Sequence, residues 1–281
     1  MKLRANLAGV AVGDGCPVRV VGAINVSPES FYAGSVARSR LALQRLAVRM
    51  VDEGADLLDI GAMSTAPYVT GAIGEAEERR RLGAGVRAVR QVVTVPISVD
   101  TQRGSVAAAG LDAGAQVVND VSGLGYDTDM GNVARQANGV ILMASEERAS
   151  REAPVTMVAG LLRECLRRAR AARIERQHIV LDPGVGFFRR AMLPWYEVDC
   201  VLLAQLSRLR QLRRPLLVGV SRKSFIGKLT GRADPGDRMW GSIAAAAVAA
   251  YNGAALIRTH DVAATRDAVR VAAAVRAVGG A

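Results

Sequence analysis

The chain has 281 residues, half of them hydrophobic, with 29 glycines and a formal charge of +11. That length and composition suit one large α/β barrel better than two small domains, so residues 1–281 are read as a single domain. No apolar stretch approaches the roughly 20 residues that cross a bilayer, and the amino terminus lacks the apolar core of a signal peptide; both predict a soluble, cytoplasmic protein with no membrane partner.

Arginine carries the basic balance, 34 against 3 lysines. Its clusters at 79–81, 167–173 and 208–214 fall on segments with helical apolar spacing, and no aromatic residues are interleaved for base stacking. Solvated helix faces explain them better than a nucleic-acid surface. Cys16, Cys165 and Cys200 lie far apart, which indicates neither a zinc site nor a disulfide framework.

In chain order, residues 1–17 contain polar and Gly/Pro breaks and predict a short strand or hairpin closing the bottom of a barrel. Eight apolar runs of strand length follow, most of them stopping on a polar or charged residue: 18–25, 57–61, 96–100, 117–120, 140–143, 179–182, 216–221 and 256–260. Helical spacing or alanine content marks 75–93, 104–113, 155–174, 198–212, 241–251 and 263–278. Near-continuous apolar runs separated by amphipathic helices read as parallel strands buried on both faces, and eight of them predict a (β/α)₈ TIM barrel. The first and second βα loops, 27–39 and 62–74, are long and polar, which makes both of them lid candidates.

In such a barrel the active site gathers at the carboxyl ends of the strands. The candidates are therefore Asn25, Asp100, Asn119, Asp120, Asp182, Lys223, Arg258 and His260. The acid and amide groups of Asp100, Asn119, Asp120 and Asp182 suit a heterocycle with amino and amide edges, because an unpaired polar edge in a pocket costs about 1–3 kcal/mol. Pterins and purines both fit, and Asp120 serves equally well as a cap for the next helix. Two of the three lysines, Lys223 and Lys228, fall in the segment after the seventh strand, where a retained lysine points to a site that wants a compact ammonium. Arg258 and His260 share one side of the eighth strand; with Asn25 they could hold a diphosphate with Mg²⁺ bridging its oxygens. His178 precedes the sixth strand at the opposite face and reads as structural. Phe187, beyond the glycines of Asp182-Pro183-Gly184-Val185-Gly186, offers an aromatic wall for a planar substrate.

Six segments in register resemble dihydropteroate synthase. They are Gly22-Ala23-Ile24-Asn25-Val26-Ser27-Pro28-Glu29-Ser30-Phe31, Ser98-Val99-Asp100-Thr101, Asn119-Asp120-Val121-Ser122-Gly123, residues 181–187, residues 221–227 and Arg258-Thr259-His260. The resemblance runs from about residue 20 to residue 275. It implies condensation of 6-hydroxymethyl-7,8-dihydropterin diphosphate with 4-aminobenzoate, release of diphosphate, a commonly dimeric barrel and Mg²⁺ as cofactor. By resemblance Asp100, Asn119, Asp182 and Lys223 bind the pterin, with Met143 and Val121 lining its pocket. Asn25, Arg258 and His260 match the anchors of the Mg²⁺–diphosphate, Asn25 being the metal ligand. Phe31, Thr65, Pro67, Phe187 and Ser224 match the aminobenzoate region.

The chain departs from the family after the second strand, where Gly-Gly-Glu-Ser-Thr-Arg-Pro is usual and Gly61-Ala62-Met63-Ser64-Thr65-Ala66-Pro67 stands here. The Glu and the Arg are both lost, and an Arg-to-Ala change removes five donors and a fixed charge. The pterin and diphosphate groups thus survive better than the acceptor loop. This is the pattern expected of a transferase using 4-aminobenzoate or a modified arylamine such as a ribosylated aminobenzene phosphate. A pterin-binding methyltransferase domain and a noncatalytic pterin-binding barrel are the competing readings; diphosphate release separates the first from both.

Overall fold

The computed structural model describes residues 2–26, 39–63, 73–145, 150–191 and 193–279. A hairpin comes first, β1 (Arg4–Leu7) paired antiparallel with β2 (Val10–Gly13). Its two-residue turn puts Ala8 and Gly9 at φ of 52° and 94°, the twist that matches paired strands, and the Asn6 side chain accepts the Gly9 N–H at 2.6 Å.

The eight predicted strands are all present, alternating with helices: β3 (Arg19–Asn25), α1 (Arg40–Asp52), β4 (Leu57–Gly61), α2 (Glu75–Arg90), β5 (Ile97–Asp100), α3 (Gly104–Asp112), β6 (Val117–Asp120), α4 (Met130–Ala134), β7 (Val140–Met143) and α5 (Pro154–Ala171). Then come β8 (Ile179–Asp182), α6 (Trp195–Ala204), β9 (Leu217–Gly219), α7 (Ser224–Thr230), α8 (Met239–Tyr251), β10 (Leu256–Thr259) and α9 (Val262–Gly279). Every pairing is parallel, in the order β8-β7-β6-β5-β4-β3-β10-β9, and a single bridge from Leu181 to Leu216 brings the two edges together. The result is a near-closed barrel ringed by helices.

Alternation along each strand sorts its side chains between two apolar layers. Outward residues such as Ile60, Val99, Val118, Leu142 and Leu181 pack under the helices, while Val21, Leu57, Val117, Ile141, Val180, Leu217 and Leu256 meet inside the barrel. Ala5, Leu7 and Val12 of the hairpin join that inner layer, so β1 and β2 plug the bottom of the barrel as expected.

The predicted helix 198–212 divides. After α6 ends at Ala204, the segment Leu206–Leu212 winds as a 3₁₀ helix with Leu206, Leu209 and Leu212 buried, a spacing of three that suits three residues per turn. Among the described residues no helix is long and apolar enough to cross a membrane.

Candidate active site

Two residues further along each strand from the apolar floor, the same inward parity places Asp59, Asn119, Met143, Asp182 and Arg258. Floor and polar layer thus arise from one alternation. The register then sets Asp100 beside both Gly61 and Asn119, Met143 beside Asp182, and Asn25 at the end of β3 opposite Gly61.

Arg258 is the hub of this layer. Its Nε donates to Asp59 Oδ2 at 2.5 Å and its Nη2 to Asp100 Oδ2 at 2.9 Å, while Asn119 Nδ2 also donates to Asp59 Oδ2, at 3.1 Å. About a quarter of the Arg258 side chain stays accessible at the barrel mouth, whereas Asp59 is fully buried. The carboxylates around Arg258 outweigh its burial and raise its pKa further. Asp100 moves the other way: burial raises its carboxyl to about 7, opposed by the Arg258 charge and reinforced by Asp59, Glu78 and Asp120. Asp59 Oδ1 and Asp100 Oδ1 are buried and meet no donor. Two unanswered buried acceptors near the carboxyl ends of the strands call for a ligand with N–H groups, since each costs about 1–3 kcal/mol when left unpaired.

Lys223 stands where β9 gives way to α7. Its ammonium donates to the Val185 carbonyl and lies 4.7 Å from the centre of the Phe187 ring. Burial lowers its pKa to about 8, against the pull of Asp182 and Asp199. The turn that meets it is shaped from behind: Asp182 Oδ1 accepts the Gly184 N–H at 2.8 Å, and Asp199 Oδ1 accepts the Gly186 N–H at 2.6 Å. Gly186 has φ of 88°, and a Cβ there would lie 2.6 Å from Lys223 Cδ, so a side chain and this lysine cannot coexist. Burial raises Asp182 above the ordinary carboxylate range, with Lys223, the Gly184 N–H and Arg258 opposing. Ser224, the first residue of α7, accepts a hydrogen bond from Arg189 at 2.7 Å.

His260 completes the mouth. Ser221 Oγ accepts the His260 backbone N–H at 3.2 Å and lies 2.9 Å from Nδ1. In the tautomer that carries its hydrogen on Nε2, Nδ1 accepts the Ser221 hydroxyl proton. Burial, then the charges of Arg258, Arg222 and Lys223, lower its pKa to about 3, so the imidazole is neutral. It can donate to an anion but adds no charge of its own.

Other expected site residues take different places. Asp120 organises its own loop, accepting from the Ser122 N–H and hydroxyl at 2.7 Å each and from the Leu124 N–H at 2.7 Å. Val121 is buried next to it and Met143 ends β7. Arg222, next to Lys223 in the chain, turns aside: it pairs with Asp261 at 2.7 and 3.1 Å and donates to the carbonyls of Pro235 and Gly236. Phe31, Thr65 and Pro67 lie outside the described residues. Sequence reasoning missed Asp59, which sits mid-strand and not at a strand end, and Asp199, which lies on α6; a lone carboxylate within Leu57-Leu58-Asp59-Ile60 was the available signal for the first.

A metal brought by a substrate fits the donor set at this mouth better than a metal caged by protein. Asn25 offers one hard amide oxygen, and no group of three His, Cys, Asp or Glu residues able to hold a metal occurs among the described residues.

This architecture, a barrel mouth in which buried acceptors are interleaved with cations, coincides with the family described as pterin binding enzyme, which matches residues 21–260; the chain belongs to that family. Its relatives within it are dihydropteroate synthases. That of Synechocystis sp. is 37% identical over 265 residues, covering 91% of this chain and 89% of the relative. The solved dihydropteroate synthase of Xanthomonas albilineans with 4-aminobenzoic acid is 38% identical, with a TM-score of 0.85 and 99% of each chain covered. That of Coxiella burnetii in complex with pteroic acid is 33% identical, with a TM-score of 0.86 over 98% of this chain and 99% of the other.

Proposed function

We propose that this barrel condenses 6-hydroxymethyl-7,8-dihydropterin diphosphate with 4-aminobenzoate or a related arylamine and releases diphosphate, the dihydropteroate synthase reaction of folate or folate-like biosynthesis. The observation that carries this reading is the pair of unanswered buried acceptors, Asp59 Oδ1 and Asp100 Oδ1, beneath a cationic rim. A pterin supplies amino and ring N–H donors on one edge, and its diphosphate supplies the anion.

In this reading Asp100, Asn119 and Asp182 hold the heterocycle, Lys223 meets its acceptor edge, and Val121 and Met143 line the pocket. Arg258 and the Nε2–H of His260 face the diphosphate. The C–O bond of the hydroxymethyl group breaks with its electron pair leaving on diphosphate. The lone pair of the arylamine nitrogen then bonds the methylene carbon, and the amine proton passes to solvent. The carboxylates of Asp100 and Asp182 favour positive charge developing on the ring. Mg²⁺, held by Asn25 and the diphosphate, would offset charge on the leaving group when bound. Phe187 and Ser224, with Phe31, Thr65 and Pro67, form the acceptor side.

We further read the protein as a cytoplasmic homodimer, with residues 1–281 acting as one domain. Trp240, Val248 and Tyr251 on α8 and Val271, Val275 and Val278 on α9 are exposed at helical spacing on adjoining helices, an apolar face suited to a second copy. The three cysteines are free thiols, in keeping with a reducing compartment.

Diphosphate release from the pterin substrate, measured with a panel of arylamines that includes 4-aminobenzoate and a ribosylated aminobenzene phosphate, tests the proposal. Arylamine-dependent release is expected. Tight pterin binding without release would leave a methyltransferase-type or noncatalytic barrel.

A further inference from the structure

The arginines of 208–214 do not all point to solvent. At the amino-terminal end of the barrel, opposite the site above, two clefts of about 310 Å³ and about 400 Å³ share Leu3 and Arg214 in their walls. Arg210, Arg214 and Arg276 line the first; Arg4, Arg176, Arg213 and Arg214 line the second. Against these six arginines the walls set only two carboxylates, Asp14 and Glu175.

Some arginines pair within their own helix, as Arg80 and Arg81 do with Glu77 and Arg167 and Arg168 do with Glu164. The arginines around these clefts have few carboxylates to pair with. Asp14 is already engaged by the Arg210 guanidinium at 3.0 and 3.1 Å and by the Leu3 N–H at 2.9 Å. The Arg213 and Arg276 side chains make no hydrogen bond or ion pair among the described residues. Arg214 is the most telling. It is only 6% exposed, its Nη1 donates to the Arg213 carbonyl, and its Nε is buried without a partner. The chain enters this arginine from a left-handed residue, Arg213 at φ 55°, a conformation that non-glycine residues rarely adopt. A buried guanidinium with an unanswered N–H, in a wall that two cationic clefts share, is a donor in want of an anionic acceptor.

We propose that these neighbouring clefts, with Arg214 in the wall they share, form an anion site for an oligophosphate, separate from the barrel mouth. Planar guanidinium forks match phosphate oxygens in pairs. None of the lining residues is aromatic, so recognition is of the phosphate chain and not of a base. Two neighbouring clefts that share Arg214 in their walls suit a chain of phosphates better than a single one. Either inorganic oligophosphate or the tail of a nucleotide presents this chemistry.

Calorimetric titration of the full-length protein with inorganic triphosphate, ATP and a short single-stranded RNA tests the site. Arg276→Ala should weaken triphosphate at least tenfold, Arg276→Lys should recover part of that loss, and His260→Ala at the opposite end should leave this binding event in place. Arg214→Gln should abolish it; if that variant does not fold, judged by its melting curve, Arg276→Ala alone decides. Triphosphate and ATP should bind alike. Unchanged affinity in Arg276→Ala, loss of all binding in His260→Ala, binding of ATP alone, or RNA bound more tightly than triphosphate would each overturn the assignment.

Discussion

Asp59 and Arg258 meet across the inside of the barrel, the carboxylate on β4 accepting the guanidinium Nε–H from β10 at 2.5 Å although β3 lies between the two strands. The pair therefore ties together walls that share no ladder. Removing the carboxylate leaves Arg258 with Asp100 alone and frees Asn119 Nδ2. Losing one partner of a buried pair typically costs about 3–5 kcal/mol, and the surviving contact puts Asp59→Ala near the lower end, about 3 kcal/mol. Urea unfolding of the variant measures it; a loss under about 1 kcal/mol would show that the pair only orients Arg258.

Activity should follow a narrow bell with pH. Asp100 gains its proton as the pH falls through about 7 and then loses an acceptor; Lys223 loses its charge as the pH rises through about 8. We expect kcat/KM to peak between these values, Asp100→Asn to remove the acidic limb, and a broad plateau from pH 6 to 9 to be incompatible with this assignment. The same shift acts on folding. Because Asp100 binds its proton more tightly folded than its ordinary value of 3.8 allows, its contribution to stability is full below about pH 4 and is lost by about pH 7.

Lys223→Arg should weaken pterin binding about tenfold or more, which is about 1.4 kcal/mol, although the charge is kept. The ammonium fits between the Val185 carbonyl and the Phe187 ring with Gly186 hard against its stem, and a planar fork has no room there. Calorimetry with a pterin is the check, and wild-type affinity would contradict a tight site.

His260→Ala should cost affinity for the pterin diphosphate and spare the bare hydroxymethylpterin. A neutral imidazole with a pKa of about 3 also cannot create a pH limb near 6, so the alkaline and acidic limbs above should survive the substitution unchanged. Equal weakening of both ligands would mean that His260 only supports Ser221 and the fold.

A charge placed on the apolar face of α8 and α9 should separate the subunits. Trp240→Glu with Val271→Glu is expected to shift the mass in light scattering from dimer to monomer at micromolar concentration, both residues being largely exposed within one chain. A dimer that persists would place the interface elsewhere.

The eight strands were legible because burial on both faces leaves continuous apolar runs, and Asp100, Asn119, Asp182, Arg258 and His260 stand at or just before or after the carboxyl ends of those strands, where the sequence reading expected them. Asp59 escaped because it sits in the middle of an apolar run and not at its end, at a position whose burial depends on the pairing of Arg258 from a strand nearly 200 residues away. The splitting of the 198–212 helix turned on a change of period from 3.6 to 3, too subtle for a pattern of leucines alone to decide. Arg222 directly precedes Lys223 in the chain, yet its direction is set by Asp261 and two loop carbonyls that only the folded chain brings near.

The pairing of β3 with β10, in which Arg258 lies opposite Val21, carries a further consequence for how the protein is made. A chain emerging from the ribosome displays its first barrel strand long before the last exists, and loop closure over so many residues is slow. Until residues 256–259 arrive, Asp59 and Asp100 lack the common counter-ion that lets them be buried, so nascent chains should remain open, protease-sensitive and unable to hold ligand. Completion of the site and closure of the barrel are then one event in biosynthesis.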